Sequence, residues 1–318
     1  MTLPLGLFAQ LLHLVLVLLA ALLLPGLLDS ARARFQGRHG PHPLQPALDW
    51  LALLRKQPVV AESASGISSI APYLGFAAML AAVLLAPGFA HGMALSSLTD
   101  LVVLAGLLAL ARAARALAAL DAGTATGGLA AAGGMGLAGL TLPTLLLAAM
   151  GFSILTGTTG ADGIAQSLRE SVPAFRVPLG LLALALLAVA LAETGRLPAG
   201  DPAAEALGDG GDDSVPEASG RHLALWRMQS ALRLVFWLSL LVGLFAPFGM
   251  AGAASGALGW LLALLLWPVK LLLLTLALAV AEARLARLRA ARLAELLTAA
   301  LLLALLGVVW LFLSAGVA

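Results

Sequence analysis

Cysteine is absent from the 318 residues, and charged side chains make up only 11% of them. Without a thiol the chain can form no disulfide, no thiolate zinc site and no cysteine-ligated iron–sulfur cluster, so any such redox centre belongs to another chain. The shortage of charge excludes a soluble single-domain enzyme. Such proteins carry about a quarter charged residues, and a water-facing surface cannot be covered with fewer than half that share. Disorder is excluded by the opposite property, since 61% of the residues are hydrophobic and the mean hydropathy is +1.03, whereas disordered chains are poor in apolar side chains. A net charge of +2 leaves no electrostatic footprint for nucleic acid. What is present in quantity is long hydrophobic runs, and the fold class they imply is an all-α polytopic membrane protein.

A helix needs about 20 apolar residues to cross the hydrocarbon core. Eight stretches meet that requirement: 3–28, 68–90, 97–120, 136–157, 175–193, 224–248, 255–282 and 292–315. The first has no basic leader, and its apolar run exceeds the ~7–15 residues of a signal sequence, so it reads as a span. The basic residues then orient the chain. Fourteen fall at the loops after the first, third, fifth and seventh stretches: Arg32, Arg34, Arg38, Arg55, Lys56, Arg112, Arg115, Arg196, Arg221, Arg227, Arg284, Arg287, Arg289 and Arg292. Only Arg169 and Arg176 fall on the other side. By the positive-inside rule the expectation is about eight transmembrane helices in a single domain, with both termini outside.

Two cytoplasmic loops are long. In the first, 29–67, residues 43–57 read as an amphipathic helix, with Gln45, Asp49, Ala52 and Lys56 on one face and Leu44, Leu48 and Leu51 on another. Such a helix lies in the membrane interface or packs beside the bundle. The second, 194–223, carries the breaker run Gly208 to Pro216. Seven of the sixteen acidic residues lie between Glu193 and Glu217, which makes this an acidic, solvated tongue. The Gly- and Ala-rich stretch 122–139 suits a flexible turn or close helix packing.

Ionisable groups at membrane depth are costly and therefore informative. Lys270 stands nearest a helix centre, Arg233 lies within the sixth stretch, and Asp121, Glu193, Glu282 and Glu295 stand at helix ends. Together they outline a polar path through the inner half of the bundle. The carboxylates are also accounted for by reach into the headgroup layer, and Arg233 by snorkelling. Lys270 is harder to explain that way and points to an inter-helix ion pair or to function. His13 reads as a packing residue, and His39, His42, His91 and His222 lack metal-ligand spacing. No catalytic triad, phosphate-cradling loop or zinc motif appears.

Several segments, taken together, resemble one family. Ala192-Glu193-Thr194-Gly195-Arg196-Leu197-Pro198 is similar to the signature that ends the fifth helix of subunit 1 of respiratory complex I, and closer still to the corresponding subunit of membrane-bound nickel–iron hydrogenases such as formate hydrogenlyase. Gly37-Arg38-His39-Gly40-Pro41 with Leu44-Gln45-Pro46 and Asp49 resembles that family's first cytoplasmic loop. Leu120-Asp121-Ala122-Gly123-Thr124-Ala125, Ser219-Gly220-Arg221-His222 and the run from Lys270 through Glu282 to Glu295 complete the set. The resemblance implies a non-catalytic membrane anchor in the inner (plasma) membrane, on which a peripheral arm docks. That arm comprises an iron–sulfur small subunit and a large redox subunit carrying a nickel–iron centre, with antiporter-like membrane subunits beside the anchor. It also implies, for complex I, a quinone cavity between helices one and six and the first loop. Carried over, Glu193 and Arg196 belong to docking and coupling to proton or sodium movement. Arg38, Asp49 and Asp121 lie near them, and Lys270, Glu282, Glu295 and Arg233 on the same inner side.

The sequence also departs from the family. The acidic helix after Asp201-Pro202 is replaced by the Gly/Asp-rich run, a tyrosine by Ala218, a first-loop basic residue by Ala52, the glutamate after Lys56 by Gln57, and a Ser-Arg-Glu by Ala132-Gly133-Gly134. Docking therefore follows more directly than coupling, and quinone binding least directly. A diverged anchor that does not pump is one alternative. A stand-alone secondary transporter using Lys270, Arg233 and the helix-end carboxylates is another, although no Gly/Pro-broken helix pair occupies corresponding halves.

Overall fold

In hydrocarbon a backbone N–H or C=O has no water to bond, so an apolar run must satisfy its own backbone by coiling. The computed structural model describes residues 3–170, 177–194, 218–252, 255–284 and 290–316, and all regular structure among them is helical. Ten α-helices follow in order: α1 (Leu3–Phe35), α2 (Gln45–Leu54), α3 (Gly66–Leu85), α4 (Leu101–Asp121), α5 (Ala125–Thr156), α6 (Ala161–Glu170), α7 (Val177–Glu193), α8 (Gly220–Phe245), α9 (Ala257–Arg284) and α10 (Ala290–Gly316). Seven of them are long and apolar enough to cross a bilayer, namely α1, α3, α4, α5, α8, α9 and α10. The apolar α7 has 17 residues, about 26 Å at 1.5 Å per residue, slightly less than the ~30 Å core.

Several boundaries differ from the sequence reading. Helix α1 runs on to Phe35, so the first long loop starts after it rather than at residue 29. The Gly-rich stretch after residue 124 is not a turn but nearly the first half of α5. Thr124 starts that helix by accepting a bond from the Gly127 N–H at 3.0 Å. Glycines that would break a soluble helix are tolerated here, because leaving the helix would orphan backbone groups. At the other end Gly157, at φ +75°, stops the helix in the left-handed conformation that glycine adopts without penalty. The short α6 was not expected at all. Residues 195–217, which hold Arg196 and most of the acidic tongue, lie outside the described residues.

The helices divide the molecule into two ends. The C-termini of α1, α4, α7 and α9 and the N-termini of α3, α5, α8 and α10 share one end, here the basic end, and α2 packs there against α1 and α8. Helix α8 forms the middle. Of its spanning window 83% is buried within the chain, against 28% for α9. Around it α3, α4 and α5 pack in sequence order, α10 returns between α5 and α7, and α1 pairs with α9 on the opposite flank. Close approach replaces the hydrophobic drive that lipid removes. A side chain at Gly75 of α3 would stand 2.8 Å from the Trp226 ring of α8, so only glycine lets these helices meet there.

Candidate functional site

Three helices bring charge together near the basic end, and a fourth adds a hydroxyl. Glu193 is the last residue of α7, and its carboxylate is ion-paired with Arg112 of α4. The Glu193 side chain is 2% exposed and that of Arg112 16%. Arg112 uses its other terminal nitrogen to donate to Thr141 Oγ1 of α5 at 2.7 Å. The second carboxylate oxygen of Glu193 has no hydrogen-bond partner among the described residues. Arg115 and Arg233 lie close enough to act on the charge of Arg112. Arg115 sits 5.5 Å over the Trp226 ring and donates to Ser230 Oγ at 3.2 Å. One buried carboxylate is thus paired with Arg112, which shares its surroundings with two more arginines, where charge interactions are much stronger than in water. Glu193 is therefore no headgroup-reaching carboxylate.

A second buried carboxylate lies apart. Glu282 of α9 has a side chain 2% exposed and faces Arg32 of α1 at 3.7 Å, an ion pair whose arginine is 40% exposed. The expectation that Lys270 shares this inner side is corrected by the structure. The residue lies twelve positions before Glu282, about 18 Å away along α9, and helical side chains lean toward the N-terminus, here away from the basic end. Its ammonium donates to the carbonyls of Ala246, at 2.8 Å, and Phe248, just past the end of α8.

Asp121 has a local task. Both its oxygens cap the start of α3, accepting from the Ser65 and Ser68 N–H groups at 2.9 and 3.0 Å and from both hydroxyls. Asp49 accepts from Gln45 at 2.9 Å on the polar face of α2, as the four-residue spacing implied. Ala47 and Trp50 of α2 are buried against the bundle, while Leu44, Leu48 and Leu51 are exposed. Arg38 and Glu295 are exposed and join neither buried cluster. Of the described candidates, only Glu193 and Arg233 share a site.

The sequence reading missed Arg112 and Arg115 as site residues by assigning them to a loop. They lie inside α4, three residues apart and so neighbours on one side of the helix. Their eleven- and fourteen-residue depth in the helix was the available signal. It also missed a pair at the far end, where His91 Nδ1 lies 2.7 Å from Asp162 Oδ1 and the Gly92 N–H donates to Asp162 at 2.9 Å.

Among the described residues no cluster of three or more metal-ligating side chains occurs. Compared with known proteins, residues 8–314 match the sequence model of the NADH dehydrogenase family. Formate hydrogenlyase subunit 4 of Escherichia coli (strain K12) is 31% identical over 267 residues, covering 84% of this chain and 86% of that one. Hydrogenase-4 component C of the same organism is 32% identical over 276 residues, covering 86% and 85%. Among solved structures, a chain of the membrane-bound sulfane sulfur reductase, an archaeal respiratory membrane complex, superposes with a TM-score of 0.78. It does so at 20% identity over 95% of this chain and 98% of that one, which is a likeness of fold.

Proposed function

Because the chain belongs to the NADH dehydrogenase family, in its complex I subunit 1-like branch, we propose that it is the membrane anchor subunit of a hydrogenase- or complex-I-like oxidoreductase, with no catalytic centre of its own. The observation that carries this reading is the near end-to-end match to two relatives that are themselves named as parts of hydrogen-metabolising systems. A chain without cysteine fits the role, since the iron–sulfur and nickel–iron centres would sit in partners.

In this reading the basic end faces the cytoplasm of a cell whose inner membrane holds the complex. The iron–sulfur small subunit and the large redox subunit dock there, on α2 with its exposed leucines and on the loop containing Arg38. Antiporter-like subunits flank the bundle. Glu193 and Arg112 are the pair through which a redox event would be felt. A carboxylate in low dielectric answers to nearby charge, and a charge arriving above this site would compete with Glu193 for the same arginines. Arg196, three residues on in sequence, would share in that docking role. Proton or sodium movement would then start from this pair. The missing loop carboxylates make docking the primary role, and quinone is not required for it.

Gentle-detergent purification from the native membrane, with subunits identified by mass spectrometry, tests the reading. Recovery of iron–sulfur and large redox subunits is expected; recovery of this chain alone, where other complexes survive, would overturn it. Glu193→Gln should still insert while impairing assembly or electron flow through the complex. Normal assembly with full activity would remove Glu193 from the site.

A further inference from the structure

A threonine inside a helix commonly spends its hydroxyl on its own backbone, donating to the carbonyl one turn back. Thr144 does so to Leu140 at 2.7 Å, Thr156 to Phe152 at 2.8 Å, Thr275 to Leu271 at 2.7 Å and Thr298 to Ala294 at 2.8 Å. Thr141 is used differently. Its Oγ1 accepts from Arg112 of α4 at 2.7 Å, from one helix to another, and the residue is 2% exposed. The other terminal nitrogen of the same guanidinium meets the carboxylate of Glu193. The helix itself does not need a hydroxyl here, since valine has the same branched shape and fits the same backbone. We infer that Thr141 is the positioning residue of the Glu193–Arg112 pair, and that its hydroxyl aims the guanidinium at the carboxylate. The inference rests on the reading of that pair as the place where a redox event is felt.

Three features of the site support this role. The first is geometry. A guanidinium is a rigid planar fork on a long flexible stem; anchors on two different helices fix its plane, whereas one anchor leaves it free to pivot. The second is burial. The Arg112 side chain is 16% exposed, so little water stands by to take over the N–H that Thr141 accepts. A buried N–H without an acceptor is costly, and the fork would turn away from Glu193 to find another. The third is charge. Arg115 and Arg233 act on Arg112 as like charges and push it away. A carboxylate in place of Thr141 would resist that push but would also compete for the ion pair. A neutral hydroxyl holds Arg112 still and leaves its whole charge to Glu193. A charge arriving at the site would then draw on Arg112 only against this hold.

The test uses the full chain with whatever subunits remain attached, as wild type, Thr141→Val, Glu193→Gln and the double variant. Thr141→Val should lower the thermal midpoint by about 4 °C, the scale of one lost hydrogen bond to a charged group. In the Glu193→Gln background the further fall should be less than half as large. A threonine that only packs would give equal falls in both backgrounds, and that result would overturn the inference. Thr141→Ser, which keeps the hydroxyl, should restore most of the midpoint; a serine variant as unstable as the valine one would also overturn it. Electron flow through the complex separates the inference from the reading beneath it. Flow should fall in Thr141→Val and recover in Thr141→Ser. A cycle that couples Thr141 to Glu193, with wild-type flow in every variant, would leave Thr141 as the positioning residue and overturn the pair's part in the redox event.

Discussion

Glu193 and Glu282 are equally hidden from solvent, yet the chain holds them in opposite ways. Glu193 is bonded to an arginine that is itself buried and held by a threonine on a third helix. Glu282 faces an arginine at 3.7 Å that is 40% exposed, near the end of α1. Both ions of the first pair have left water, so each depends on the other for its solvation. In the second, water solvates Arg32 whether or not Glu282 is present. A buried carboxylate is thus two different things, depending on where its partner stands. The first is tied to the protein's own scaffold, and the second to the interface with solvent.

Breaking the first pair is the strongest test of that contrast. Arg112→Leu takes from a buried carboxylate its ion-pair partner and should cost about 3–5 kcal/mol, read as a large fall in the thermal midpoint of the purified chain. Adding Glu193→Leu should recover part of the loss, because two matched apolar residues avoid the stranded charge. A double variant less stable than the single one would contradict the account. Next in size is Arg115→Ala, which removes the contact with Trp226 and should cost about 0.5–2 kcal/mol, with a change in the fluorescence of that buried ring as a second readout. Smallest is Glu282→Gln, which strands no charge and leaves Arg32 to water, and which should cost no more than about 1 kcal/mol and less as salt is raised. A cost there equal to that of Arg112→Leu would erase the distinction between the two carboxylates.

Composition and run length were enough to read the class, and the spacing on α2 was enough to read a helix with Gln45 and Asp49 on one side. Pairing was not legible, for a physical reason. Arg112 and Glu193 are 81 positions apart, and nothing local to either records that the end of α7 meets α4 partway along its length. Arg112 was assigned to a loop because charge counting treats an arginine near a helix end as a loop residue. In a protein interior the partner, and not the position, decides where an arginine can sit. The glycines after Gly127 misled for a related reason, since their breaking tendency is a property measured in water. In contrast, α6 could have been found. Ile164, Ala165 and Leu168 share one face, and Asp162 and Arg169 stand at the ends that suit the helix dipole.

Helix α8, the most buried of the spanning helices, has a bearing on how the chain is made. It carries Arg221, Arg227 and Arg233 together with Gln229, Ser230 and Ser239. An arginine near the centre of a nascent span costs about 2.5–3.5 kcal/mol on the insertion scale, so α8 is a poor candidate to enter the bilayer by itself. Its neighbours α3 and α1 precede it in synthesis, and α9 follows directly after a short connection. The translocon would therefore release α8 as a client of helices already waiting beside it, and a chain lacking α3 should be handed to the quality-control proteases instead of the membrane.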